Sequence, residues 1–122
     1  MQPLIALVGT RPEAIKMAPV IQMLRQNGRH PVKVVSTGQH REMLRQTLGI
    51  FGLVPDVELN VMQPNQSLST LTANLLRTLD PLIDTTNPAM MIAQGDTTSV
   101  MVAALVSFYR RLPFAHVKQA CA

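Results

Sequence analysis

Three charged side chains stand at places where they could hold an anion and move a proton. Arg11 and Lys16 lie just after Gly9-Thr10, and Asp96 lies just after Gly95. Each glycine follows a short apolar run, Leu4-Ile5-Ala6-Leu7-Val8 directly in one case and Ala89-Met90-Met91-Ile92-Ala93 in the other, where Gln94 stands between run and glycine. Runs of this length and character read as buried parallel strands. Thr10 and Glu13 form the Thr-x-x-Glu pattern of a capping box, and Pro12 suits the first turn of a helix. A strand, a glycine and a helix start in about ten residues aim backbone N–H groups at an anion, and Arg11 and Lys16 add two cations there. The plainer reading is a well-capped turn with two solvated basic residues. Asp96 admits two readings as well, a cap on the following helix or a carboxylate that accepts a proton. Neither G-x-G-x-x-G nor G-x-x-x-x-G-K-[ST] occurs, which argues against the standard dinucleotide and P-loop phosphate sites.

The elements that must position these residues follow from periodicity. A helix is expected from Pro12 to Asn27, with Ile15, Ala18, Ile21 or Gln22, and Leu24 inward and Asn27-Gly28 as its end. Pro19 inside it predicts a kink or break near Met17-Ala18. The β-branched stretch Val32 to Thr37 predicts a strand, and His40 to Phe51 a helix with Met43, Leu44, Thr47 and Leu48 inward. Leu53 to Gln66 reads as a loop with a short extended piece at Val57-Glu58-Leu59. Ser67 caps a long helix bearing Leu68, Leu71, Leu75, Leu79 and Ile83, whose last turn Pro81 should bend. After the strand Ala89 to Ala93, a helix from Thr97 to Arg110 is apolar on most sides and reads as buried. Pro113 to Val117 is the next strand.

Strands alternate with helices, so the fold class is α/β, a Rossmann-like doubly wound parallel sheet. In that topology the first strand lies beside the strand that starts at Ala89. Ligands bind between the carboxyl ends of such neighbours, and Arg11, Lys16 and Asp96 would converge there.

Composition narrows the function. The chain has 122 residues and a hydrophobic fraction of 47%, enough for one domain with a core and not the make-up of a disordered chain. The apolar run Val100 to Val106 is too short to span a bilayer. No basic segment precedes Leu4 and Arg11 interrupts any signal core, so a cytoplasmic location and no membrane partner are expected. The single Cys121 excludes an internal disulfide and a cysteine-rich metal site. The net charge of +4 suits an anionic ligand, but the basic residues are scattered and aromatics are few, so no nucleic-acid partner is expected.

The string Gly9-Thr10-Arg11-Pro12-Glu13-Ala14-Ile15-Lys16-Met17-Ala18-Pro19 resembles the opening signature of the non-hydrolysing UDP-N-acetylglucosamine 2-epimerases. Thr37 to Leu44, Phe51 to Met62, Gln94 to Ser99 and Phe114 to Val117 are similar to that family in order and spacing. The resemblance implies the N-terminal half of a two-domain glycosyltransferase-B type fold, with members about three times this long and homodimeric at full length. It implies interconversion of UDP-N-acetylglucosamine and UDP-N-acetylmannosamine, with a UDP-sugar as substrate and no cofactor, neither a nicotinamide nor an obligatory metal. UDP leaves C1 as C2 is deprotonated, and it adds back to the 2-acetamidoglucal after reprotonation on the other face. Arg11 and Lys16 would support the departing diphosphate, and Asp96 would transfer the proton or organise its transfer. Gln39 matches a glutamine of a possible regulatory site, and its plainer role is a polar cap.

After Val117 the family pattern continues Glu-Ala-Gly-Leu-Arg, with the glutamate in the active site, whereas this sequence has Lys118-Gln119-Ala120-Cys121-Ala122. Reading codons for the family pentapeptide one base later can spell that tail. Residues 1–117 are therefore expected to be a truncated N-terminal Rossmann-like domain, and 118–122 a non-family, frameshifted tail. The fragment by itself is expected to be inactive. The alternatives are an inactive fragment that binds an anion or nucleotide weakly, or another glycosyltransferase-B type sugar-nucleotide enzyme.

Overall fold

Strand and helix alternate from the first element to the last in the computed structural model, which describes residues 1–38, 40–61 and 63–118. The order is β1 (Leu4–Val8), α1 (Arg11–Asn27), β2 (Val32–Ser36), α2 (Arg41–Ile50), β3 (Val57–Glu58), α3 (Leu68–Thr86), β4 (Met90–Gln94), α4 (Thr98–Tyr109) and β5 (Phe114–Val117). Gln39 and residues 119–122 lie outside the described residues, so the readings of Gln39 as a regulatory contact and of the tail beyond Lys118 as frameshifted are not addressed by the fold.

The strands form one parallel sheet in the order β3-β2-β1-β4-β5. β1 is central, with Leu4 beside both Val32 and Met90, and is buried along its whole length. Period-two alternation sends its residues to opposite faces. Leu4, Ala6 and Val8 pack with Met17, Ala18, Ile21, Leu44 and Leu48 of α1 and α2. Ile5 and Leu7 pack with Leu75, Leu79, Val102, Ala103 and Val106 of α3 and α4. Covering both faces is why β1 is apolar throughout instead of alternating.

Four expectations need correction. α1 is a single helix across Pro19, with no break at Met17-Ala18. Pro19 and Ile15 are both exposed, so the helix bond that Pro19 removes from the Ile15 carbonyl is lost on the outer side of the helix and not in the core. Ile15 itself is 44% exposed, and Glu13, Ala14 and Met17 are buried in its place. β4 begins and ends one residue later than the apolar run suggested, so that it includes Gln94. α4 is not buried all round, because Met101, Phe108 and Tyr109 are 56%, 76% and 67% exposed.

Ion pairs tie the periphery. Arg45 of α2 meets Glu58 of β3 at 2.6 Å, which lowers the Glu58 pKa through its hydrogen bond. Arg110, at the end of α4, meets Asp80 and Asp84 of α3, each at 2.7 Å. The Arg110 hydrogen bond holds the Asp84 carboxyl below its ordinary range.

Candidate functional site

Three turns meet at the carboxyl edge of the sheet, those after β1, β2 and β4. The capping box expected at α1 is formed, with the Glu13 amide donating to Thr10 Oγ1 at 3.3 Å. The Glu13 carboxylate does more than cap. Its Oε1 accepts from the Gly9 and Thr10 amides at 2.8 and 3.2 Å, and its Oε2 accepts from the Thr97 hydroxyl at 3.0 Å. Glu13 is only 4% exposed, and these donors satisfy a carboxylate that water reaches poorly. One side chain thus joins the β1–α1 turn to the β4–α4 turn, whose residues are more than eighty positions apart.

The β2–α2 turn closes on the same point. Thr37 Oγ1 donates to Ser99 Oγ at 3.1 Å in the interior. Gly38 is packed so tightly that a Cβ there would collide with the Gly9 carbonyl and the Leu44 side chain. Gly95 has φ +100, a conformation that L side chains rarely adopt.

Between the first and last of these turns lies an open cavity of about 610 Å³, within the usual size of small-molecule sites. Lys16 of α1, Asp96 and Thr97 of the β4–α4 turn, and His116 and Lys118 from β5 and just beyond it all line the cavity. Glu13 lines it too, but its carboxylate is held by the Gly9 and Thr10 amides and the Thr97 hydroxyl, so the charged groups that face the open space are Lys16, Lys118 and Asp96.

Of the three residues expected to converge, Lys16 and Asp96 line this cavity, while Arg11, the first residue of α1, is exposed beside it and does not. Asp96 is not a helix cap, because the N-cap of α4 is Thr97. Even Thr97 makes no side-chain cap bond, since its hydroxyl is spent on Glu13. The simpler reading of Asp96 is thereby removed, and its exposed carboxylate has no hydrogen bond or ion pair among the described residues.

Sequence reasoning missed two members of the site. Glu13 was legible as a capping residue, but its bond to Thr97 links positions that no local pattern connects. His116 lies in the strand Phe114–Val117, and its Nε2 is 2.6 Å from the Gly95 carbonyl oxygen. The available signal was its place at the carboxyl end of a strand in a doubly wound sheet, where ligand sites form.

A profile of the family described as UDP-N-acetylglucosamine 2-epimerase matches residues 22–119. The UDP-N-acetylglucosamine 2-epimerase of Salmonella typhimurium is 44% identical over 114 residues, covering 93% of this chain and 30% of the relative. The Escherichia coli protein of the same name gives the same identity and coverage. Among solved structures, the Neisseria meningitidis UDP-GlcNAc 2-epimerase bound to UDP-GlcNAc superposes with a TM-score of 0.87 at 44% identity, over 96% of this chain and 32% of the other. The Methanocaldococcus jannaschii enzyme in complex with UDP-GlcNAc and UDP superposes with a TM-score of 0.81 at 28% identity, over 96% and 32%. The chain therefore spans about 30% of the length of the curated relatives it matches.

Proposed function

The chain belongs to the UDP-N-acetylglucosamine 2-epimerase family, and from that we propose that it forms the sugar-side wall of an enzyme interconverting UDP-N-acetylglucosamine and UDP-N-acetylmannosamine. The observation that carries this reading is the meeting of Lys16 and Asp96 in one cavity at the switch point between β1 and β4. In this reading the substrate C2 proton goes to Asp96, or is guided by it, as the bond from C1 to the diphosphate breaks. C2–H is not next to a carbonyl, so loss of the C1 leaving group must provide the driving force for its removal. Lys16, helped by Arg11 at the rim, supports the charge that gathers on the departing diphosphate. UDP then adds back to the glycal after the proton returns on the opposite face.

The cavity is open, and one wall cannot hold both ends of a nucleotide sugar through the transition state. The 122-residue chain alone is therefore expected to incorporate no deuterium at C2 of UDP-N-acetylglucosamine in D2O. A chimera that joins residues 1–117 of this chain to the remaining part of the Salmonella typhimurium relative is expected to exchange C2 and form the second UDP-sugar. In that chimera Asp96→Asn should lower turnover about 10²–10⁴-fold, the usual weight of a positioned acid–base group. Unchanged turnover with Asp96→Asn would remove Asp96 from the chemistry, and a chimera without activity would refute the epimerase reading.

A further inference from the structure

The Asp96 carboxylate is exposed and carries no bond among the described residues, yet the chain on both sides of it is pinned. On one side the Thr97 hydroxyl is held by Glu13 at 3.0 Å. On the other the Gly95 carbonyl oxygen is 2.6 Å from His116 Nε2. β4 and β5 pair from Met91 beside Phe114 to Gln94 beside Val117, and the ladder ends there. His116 sits opposite Ala93, so its ring reaches forward past the end of the ladder to the carbonyl of Gly95, the first residue after β4. Gly95, at φ +100, would otherwise be the least constrained link in this turn.

We infer that His116 is a positioning residue, whose Nε2–H on the Gly95 carbonyl fixes the peptide that carries Asp96 and so sets where the Asp96 carboxylate stands in the cavity. The inference rests on the epimerase reading for its consequence in catalysis, but not for the contact itself. A carbonyl oxygen only accepts hydrogen bonds, so the ring must carry its proton on Nε2. In the neutral ring Nδ1 is then the acceptor nitrogen. The geometry thus defines one tautomer, and an aspartate held between two anchored neighbours is the kind of pre-arranged group that proton transfer needs.

Two measurements test this. In the 122-residue chain, nitrogen-15 NMR of the imidazoles at neutral to mildly basic pH should show His116 as the Nε2–H tautomer. Finding Nδ1–H instead would overturn the contact, whatever the chain's function. In the chimera, His116→Phe keeps the ring volume but has no donor, and it should lower kcat about 10–100-fold with KM little changed. His116→Gln can place an amide N–H near the Nε2 position and should restore most of that loss. His116→Asn, whose amide falls nearer the Nδ1 position, should not. A Phe variant with the parent kcat, or a Gln variant no better than Phe, would overturn the positioning role. If the parent chimera and its Asp96→Asn form turned over alike, the epimerase assignment of Asp96 would fall, and the tautomer would still decide whether His116 holds Gly95.

Discussion

Glu13 joins two turns with one carboxylate, the Gly9 and Thr10 amides on Oε1 and the Thr97 hydroxyl on Oε2. Removing it leaves those part-buried donors without their protein partner and unties the two turns, at a cost of about 1–3 kcal/mol, the range for a group left unsatisfied. Glu13→Ala should therefore lower the unfolding free energy by at least that amount in a urea titration. Glu13→Gln should cost less. Its amide oxygen can still accept from the two backbone amides, and its NH2 can donate to the Thr97 oxygen. Equal stability of the Ala variant and the parent would show that solvent replaces the carboxylate and that the two turns are not coupled through it. Gly38 has the opposite kind of role at the same spot. There it is the lack of a side chain that lets the β2–α2 turn lie against Gly9.

At the scale of elements, α1 shows how context overrides a local rule. Pro19 sits in the middle of a seventeen-residue helix, where it removes a hydrogen bond and crowds the carbonyl four residues earlier. The helix survives because its other face buries Ala14, Met17, Ala18 and Ile21 against the sheet. Tertiary packing of that face outweighs a penalty of about 3 kcal/mol for an interior proline. Pro19→Ala should return the missing bond, since both Pro19 and Ile15 are exposed. The expected gain is about 1–3 kcal/mol, reduced from the full helix penalty because proline also restricts the unfolded chain. Thermal unfolding measures it directly. An unchanged or lower midpoint would mean that the proline ring makes a contribution the helix register does not reveal.

Across the whole molecule, the sheet ends at β3 on one side and at β5 on the other. β3 has only two residues, whereas β5 has four and pairs with β4 through Phe114 to Val117. An edge strand with open backbone groups is a template for another chain. The exposed Met101, Phe108 and Tyr109 of α4 add apolar surface. The chain is therefore expected to self-associate as its concentration rises, which sedimentation or light scattering will detect. Phe108→Lys together with Tyr109→Lys should weaken that association if the apolar end of α4 drives it. A chain that stays monomeric at every concentration would show that neither the edge nor the patch is sticky.

The amino-acid sequence by itself determined the alternation of strands and helices, the parallel sheet, the neighbouring of β1 and β4 and the glycine turns that face each other across them. These are local or nearly local properties: burial of a strand on both faces shows as an apolar run, and a helix start shows in Thr10, Pro12 and Glu13. Lys16 and Asp96 were legible for the same reason, since each follows a strand end whose place in the topology is fixed. The tertiary structure alone decided the rest. Glu13 reaches Thr97, His116 reaches Gly95, and Arg11 stays on the rim while Lys16 turns toward the cavity. Each depends on how far one turn approaches another in space and on which way a side chain points. Asp96 does not cap α4 because Thr97 takes the N-cap position, and only the long-range contact to Glu13 accounts for the Thr97 hydroxyl making no cap bond. Hydrogen bonds between residues far apart in the chain leave no period and no spacing behind, so only the folded geometry can assign them.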